Sequence, residues 1–201
     1  PTALFLLLAG FILTGISLFQ YKAARTQIAE RKEFLSTISR LQIVYLERLI
    51  QSYLDNGSIL ERSVPFKTSW NSWVRSGFVD SPEKDQLLKR ISNFRTGSEM
   101  THALLLDSSG ALRLCEPACP YLEPSSVEKA ARAEHTFLSD FFILPDSGKS
   151  AFDLVIPLRT ENEYTGSLIL RLDPSLTILQ KLEEWNTHFR TGETIFFRKD
   201  G

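Results

Sequence analysis

The hydrophobic pattern changes character twice along this chain, and the changes divide it. From Leu4 to Phe19 (LFLLLAGFILTGISLF) there is an apolar run without a single charge. With Pro1 to Ala3 it comes close to the roughly 20 residues that a helix needs to cross a bilayer. It reads as a membrane anchor over residues 1–19. A cleavable secretion signal would need a small-residue site, and no A-x-A follows before Lys22. A buried soluble helix would keep a polar stripe, and this run has none. Gly10 and Gly15 suit a membrane helix better than a soluble one. Lys22 and Arg25, just after the span, favour the opposite orientation by the positive-inside rule unless a more basic segment precedes Pro1. The chain starts without an initiator Met, so a few cytoplasmic residues are expected to be missing.

From Gln20 to Leu54 the spacing is helical. Ile28, Leu35, Ile38, Leu41, Tyr45 and Leu49 form one row, and Val44, Leu46, Ile50, Tyr53 and Leu54 add a second. This predicts one long signalling helix over residues 20–57, ended by Asn56-Gly57. Residues 58–100 predict two shorter helices. The first carries Trp70, Trp73, Val74 and Phe78 as core, and the second starts at Ser81-Pro82-Glu83.

At Thr101 the period becomes that of a strand. His102 to Asp107, the turn Ser108-Ser109-Gly110 and Ala111 to Leu114 predict a hairpin. Ser125 and Glu128 resemble a capping box opening a helix that runs to about Glu134. Thr136 to Leu144, Ala151 to Arg159 and Gly166 to Asp173 predict three further strands, with one face as core. Asp173-Pro174 then starts a helix running to about Phe189, and Glu193 to Arg198 reads as a strand entering the turn Lys199-Asp200-Gly201. A hairpin strand without its partner is unstable alone, so residues 174–201 are expected to open a second, truncated module.

Composition narrows the function. The 201 residues carry 23 basic and 24 acidic side chains, a net charge of -1, so no nucleic-acid partner is expected. The two cysteines, Cys115 and Cys119, flank a proline in LCEPACPYLEP, and outside the cytoplasm a small-loop disulfide is the preferred reading. A redox-sensing pair or two free thiols are the alternatives. Zinc is disfavoured, because a structural site wants four ligands.

Several phrases carry a family resemblance. HALLLDSSGALRL is similar to the first hairpin of extracytoplasmic PAS-type, or Cache, sensor domains. LSDFF, FDLVIPL and GSLILRLDPS resemble their later strands. WNTHFRTGETIFFRKDG resembles the passage into a second module in bacterial sensor histidine kinases and PAS-containing cyclic-di-GMP signalling proteins. It keeps Trp185, Thr191, Glu193 and Thr194 of the usual W-P-T-P-S-x-T-A-E-T phrase and loses the prolines. The resemblance implies an α+β architecture in which a transmembrane helix continues into the signalling helix, followed by an antiparallel five-stranded sheet flanked by helices. The sensor itself would span residues 101–173.

No constellation for catalysis, cofactor or metal binding is found. His102, His135 and His188 are scattered, and phosphate-loop, dinucleotide and nucleophile-elbow motifs are absent. The resembling domains hold small ligands between the sheet and the segment after the first hairpin. Asp153 and Arg171 fall on the less apolar side of their strands, and Asp140 lies within another, which makes them the candidate ligand contacts. The bland alternative is that all three face water. The expected whole is the sensory region of a dimeric receptor in the inner membrane, extracytoplasmic after about residue 20. Its partners would be the lipid bilayer, a second copy through the N-terminal helix, and a small molecule. A protein-interaction module of the same fold and a membrane-anchored enzyme are the rivals.

Overall fold

The computed structural model describes residues 2–96, 99–161 and 163–180. The chain divides into two compact units, Pro1–Arg48 and Leu49–Gly201. Helix α1 (Thr2–Arg62) runs through the first. Its apolar residues Ile28, Phe34, Leu35 and Leu41 are exposed there. Among the described residues no helix is long and apolar enough to cross a membrane. The side chains of residues 1–18, on which the anchor reading rests, lie outside those described apart from Gly15.

The second unit is built on an antiparallel sheet. Its strands are β1 (Met100–Asp107), β2 (Leu112–Glu116), β3 (Phe137–Leu138), β4 (Phe142–Ile143), β5 (Ser150–Thr160) and β6 (Glu163–Leu172). The order is β2-β1-β6-β5-β3, with β4 pairing β5 off this path. Two local hairpins, β1-β2 and β5-β6, are joined edge to edge by pairing of β1 with β6. The expected single strand from Thr136 to Leu144 is two short ones. It breaks because Ser139 is drawn onto β5: its amide donates to the Asp153 carbonyl, and its Oγ accepts from the Asp153 amide.

Helices α2 (Val64–Arg75) and α3 (Pro82–Thr96) match the two expected ones. Trp70 and Trp73 are buried edge to face, 6.0 Å apart, and their indole nitrogens donate to Thr165 Oγ1 and the Val79 carbonyl. That satisfies the only polar atom each ring takes out of water. Helix α4 (Pro124–Arg132) starts with Pro124 in its first turn, and no capping box forms: Glu123 is the N-cap and makes no side-chain bond. Proline already lacks one of the amides that a cap would satisfy.

Two corrections concern how the sheet is covered. Asn56-Gly57 does not end α1, which continues to Arg62. Gly57 is buried where the helix presses on the sheet, and a Cβ there would come within 2.6 Å of Thr136 Cγ2 and 3.3 Å of Leu154 Cδ2. The glycine serves close approach, and packing outweighs its poor helix propensity. Nor is only one face of the sheet core. Ala103, Leu105, Leu154, Ile156, Leu168 and Leu170 alternate with Leu104, Leu106, Val155 and Ile169, and all ten are fully buried. The second set packs with Ala130 of α4 and with Leu122, Val127 and Phe137. A two-face reading escapes alternation because continuous apolar runs are equally compatible with one buried face and with two.

After β6, the chain starts helically at Pro174 and forms a π-helical turn, Ser175–Leu179. Asp173 Oδ1 accepts from the amide and hydroxyl of Ser175, at 2.8 and 2.5 Å. The remainder of the expected helix to Phe189, the strand Glu193 to Arg198 and the final turn lie outside the described residues.

Candidate functional site

Antiparallel register places one titratable side chain from each of three neighbouring strands in a row. His102 on β1 is opposite Arg171 on β6, which is opposite Asp153 on β5. All three share the face covered by α4, because residues in register point the same way. Arg171 and Asp153 are 1% and 0% exposed, so neither faces water. The guanidinium grips the carboxylate with two parallel bonds, Nε to Oδ1 at 2.9 Å and Nη2 to Oδ2 at 3.1 Å. The third nitrogen, Nη1, donates to the Tyr121 carbonyl at 2.5 Å. Phe142 lies over the guanidinium, 5.0 Å from ring centre to Cζ, and Tyr121 packs tilted on Phe142 at 6.5 Å. The planar fork of arginine suits this geometry, and the aromatic face favours a desolvated cation.

Burial pushes the Asp153 carboxyl above its ordinary range, while the bonds and charge of Arg171 pull the other way. Desolvation pushes His102 down, helped by the charges of Arg171 and Arg95, against Asp146 and Glu116. The imidazole is therefore neutral near pH 7, able to accept or donate a hydrogen bond. Arg95 itself is held by Glu116 at the end of β2, with Nη2 to Oε1 at 3.1 Å.

A cleft of about 380 Å³ opens at this end of the sheet. Its walls include Thr101, His102, Cys119, Lys149, Arg171 and Asp173. One side is the segment after β2, whose Cys119 is joined to Cys115 of β2 in a disulfide with Cα atoms 5.1 Å apart. The other is the turn between β4 and β5, with Asp146 and Lys149. The walls thus carry both signs of charge next to a neutral imidazole. Among the described residues no group of three or more His, Cys, Asp and Glu could hold a metal.

Of the three residues singled out from sequence, Asp153 and Arg171 are brought together and Asp140 is not. Asp140 is exposed between β3 and β4, where it pairs with Lys129 of α4 at 3.2 Å. Its i,i+11 partner could not be read from spacing. His102, Lys149 and the Tyr121 carbonyl were missed. For His102 a signal existed, since it has the same parity as Leu104 and Leu106 on β1. The other two come from loops, whose course follows no period.

No family model matches this chain, and no curated protein does. Solved structures do resemble it. The ligand-binding domain of the Pseudomonas aeruginosa amino acid chemoreceptor PctC, in complex with GABA, superposes with a TM-score of 0.56 at 12% identity, over 78% of this chain and 67% of that one. The sensor domain of the Vibrio cholerae histidine kinase DctB gives 0.52 at 14% identity, over 74% and 59%. A domain of a sensory box/GGDEF family protein from Vibrio parahaemolyticus gives 0.52 at 17% identity, over 73% and 62%. The chain therefore spans about two thirds or less of the length of these domains. At such identities the likeness is one of fold, and the fold is that of Cache-type extracellular sensor domains.

Proposed function

We propose that this chain is the extracytoplasmic sensory region of a bacterial transmembrane signal transducer, with a histidine kinase as its output and a diguanylate cyclase or phosphodiesterase as the alternative. Residues 1–19 anchor it in the inner membrane, and α1 pairs with that of a second copy. The cleft beside His102 and Arg171 receives a small anionic or zwitterionic metabolite. The observation that carries this reading is the combination of a sensor fold with a cleft lined by Lys149, Asp146, Asp173 and a neutral His102. Paired opposite charges suit a ligand that has both. The PctC domain has GABA, a molecule of that class, in its complex.

Calorimetric titration of the full chain in detergent micelles with amino acids, amines and dicarboxylates tests the ligand. At least one should bind, and Lys149→Glu should weaken an anionic or zwitterionic ligand about tenfold, equivalent to about 1.4 kcal/mol. Failure of every compound to bind would refute the ligand reading. One observation favours a second reading, a protein-interaction module with no ligand: the face beneath α4 is filled by Leu104, Leu106, Ala130, Val155 and Ile169. The same titration separates the two.

A further inference from the structure

The disulfide lies at the cleft rather than away from it. Cys115 sits on β2 opposite Leu104, fixed by the sheet. Cys119 is exposed and lines the cleft directly. Two residues further on, the Tyr121 carbonyl accepts from Nη1 of Arg171, the guanidinium nitrogen that does not bond Asp153. The Tyr121 ring in turn packs on Phe142, which covers the same guanidinium. One covalent bond therefore fastens the short segment that forms both a wall of the cleft and part of the cap over the buried ion pair. These are the two cysteines of the 201 residues.

We propose that the Cys115–Cys119 disulfide is a redox gate on the cleft. Oxidised, it holds residues 117–121 against Arg171; reduced, it releases them and widens access to His102. The regulatory role rests on the ligand reading above, because it acts on the same cleft. The chemistry is thiol–disulfide exchange with a dithiol. A thiolate attacks the exposed Cys119 Sγ, forming a mixed disulfide and expelling Cys115 as a thiolate that takes up a proton. The second thiol of the dithiol, as its thiolate, then attacks the mixed disulfide and expels Cys119, which is protonated in turn. Two electrons and two protons pass to the protein, and the reductant leaves as its own disulfide. The sheet does not depend on this bond, since β1 is also paired with β6 and β2 is gripped by Arg95 through Glu116.

The full chain in detergent is compared before and after dithiothreitol, with thiol titration to confirm reduction and far-UV circular dichroism to confirm that the sheet remains. Limited chymotrypsin digestion, read as cleavage after Tyr121 by mass spectrometry, reports the segment. Modification by diethyl pyrocarbonate, read on the His102 peptide, reports the cleft. Reduction should speed that cleavage about tenfold, as expected for local release, and should speed His102 modification about threefold. The Cys115→Ser/Cys119→Ser variant should behave as the reduced protein whether or not dithiothreitol is present. Equal cleavage and equal His102 modification in fully reduced and oxidised protein would overturn the gate, as would a disulfide that dithiothreitol leaves intact. Neither readout uses a ligand, so a gate that works on a chain that binds nothing, or a binding chain without a gate, would each be recognised.

Discussion

Gly166, on β6, has φ +154°, and a Cβ there would fall 2.2 Å from the Leu106 carbonyl oxygen and 2.6 Å from Trp70 Cζ2. Backbone cannot yield as a flexible side chain can, so Gly166→Ala should cost about 3 kcal/mol or more, read as a drop in urea midpoint at unchanged slope. Asp107, at the end of β1, accepts at Oδ1 from the amides of Ser109 and Ala111 and from the Ser109 hydroxyl, while Arg113 bonds Oδ2. Burial opposes ionisation, yet these four bonds hold the carboxyl below its usual range. A depressed folded value means that the charged form contributes stability above the ordinary aspartate pKa of about 3.9, and that this is lost as pH falls through the folded value. Asp107→Asn should therefore cost about 1–3 kcal/mol at pH 7, and the two proteins should converge as the acid transition is approached. For the buried pair, Arg171→Ala should cost about 3–5 kcal/mol by stranding the Asp153 charge, whereas Asp153→Leu/Arg171→Met should cost far less. If the double variant is as unstable as the single, the pair itself supplies the stability.

The elements differ in what sets their ends. The helix α1 outruns its glycine because Gly57 is buried against Thr136 and Leu154. Near the end of the same helix, Glu61 accepts from the amide and hydroxyl of Thr136 at 3.1 and 2.7 Å. Under the function proposed above, α1 is the transmitter and its exposed row around Leu35 and Leu41 is the face that meets a second copy. Ile38→Asp or Leu41→Asp should therefore uncouple output in a signalling assay. Both residues lie in the first compact unit, so the melting of the sheet should be unchanged. Normal signalling by such a variant would remove α1 as the route.

For the whole molecule, the unusual feature is a sheet covered on both faces that still leaves a cleft at one end. The aromatic and aliphatic clusters close the middle: Trp70 and Tyr53 on one side, Ala130 and Leu122 on the other. Each fully buried Leu or Ile there contributes about 1.5–3 kcal/mol relative to an exposed one, which makes the middle of the sheet a poor place for an opening. The loops before α4 and between β4 and β5, stapled or turned by their own residues, are where a ligand could be admitted without unpacking that core. A thermal-shift series with any ligand found by calorimetry should show stabilisation that grows with its concentration, as binding to the native state requires.

Element type and order were legible in the amino-acid sequence because they rest on local periods: helical spacing in the first half, strand-like alternation from Thr101, and turn chemistry at Ser108-Ser109-Gly110. The alternation also put Asp153 and Arg171 on the less apolar side of their strands. Their ion pair, and the row it forms with His102, needed the register between strands that are joined by no local turn. Gly57 as a contact rather than a stop, the second buried face, and a cleft walled by a cysteine loop were decided by tertiary structure alone. Each depends on what a distant segment brings to within a few ångströms, and no period along the chain records that distance.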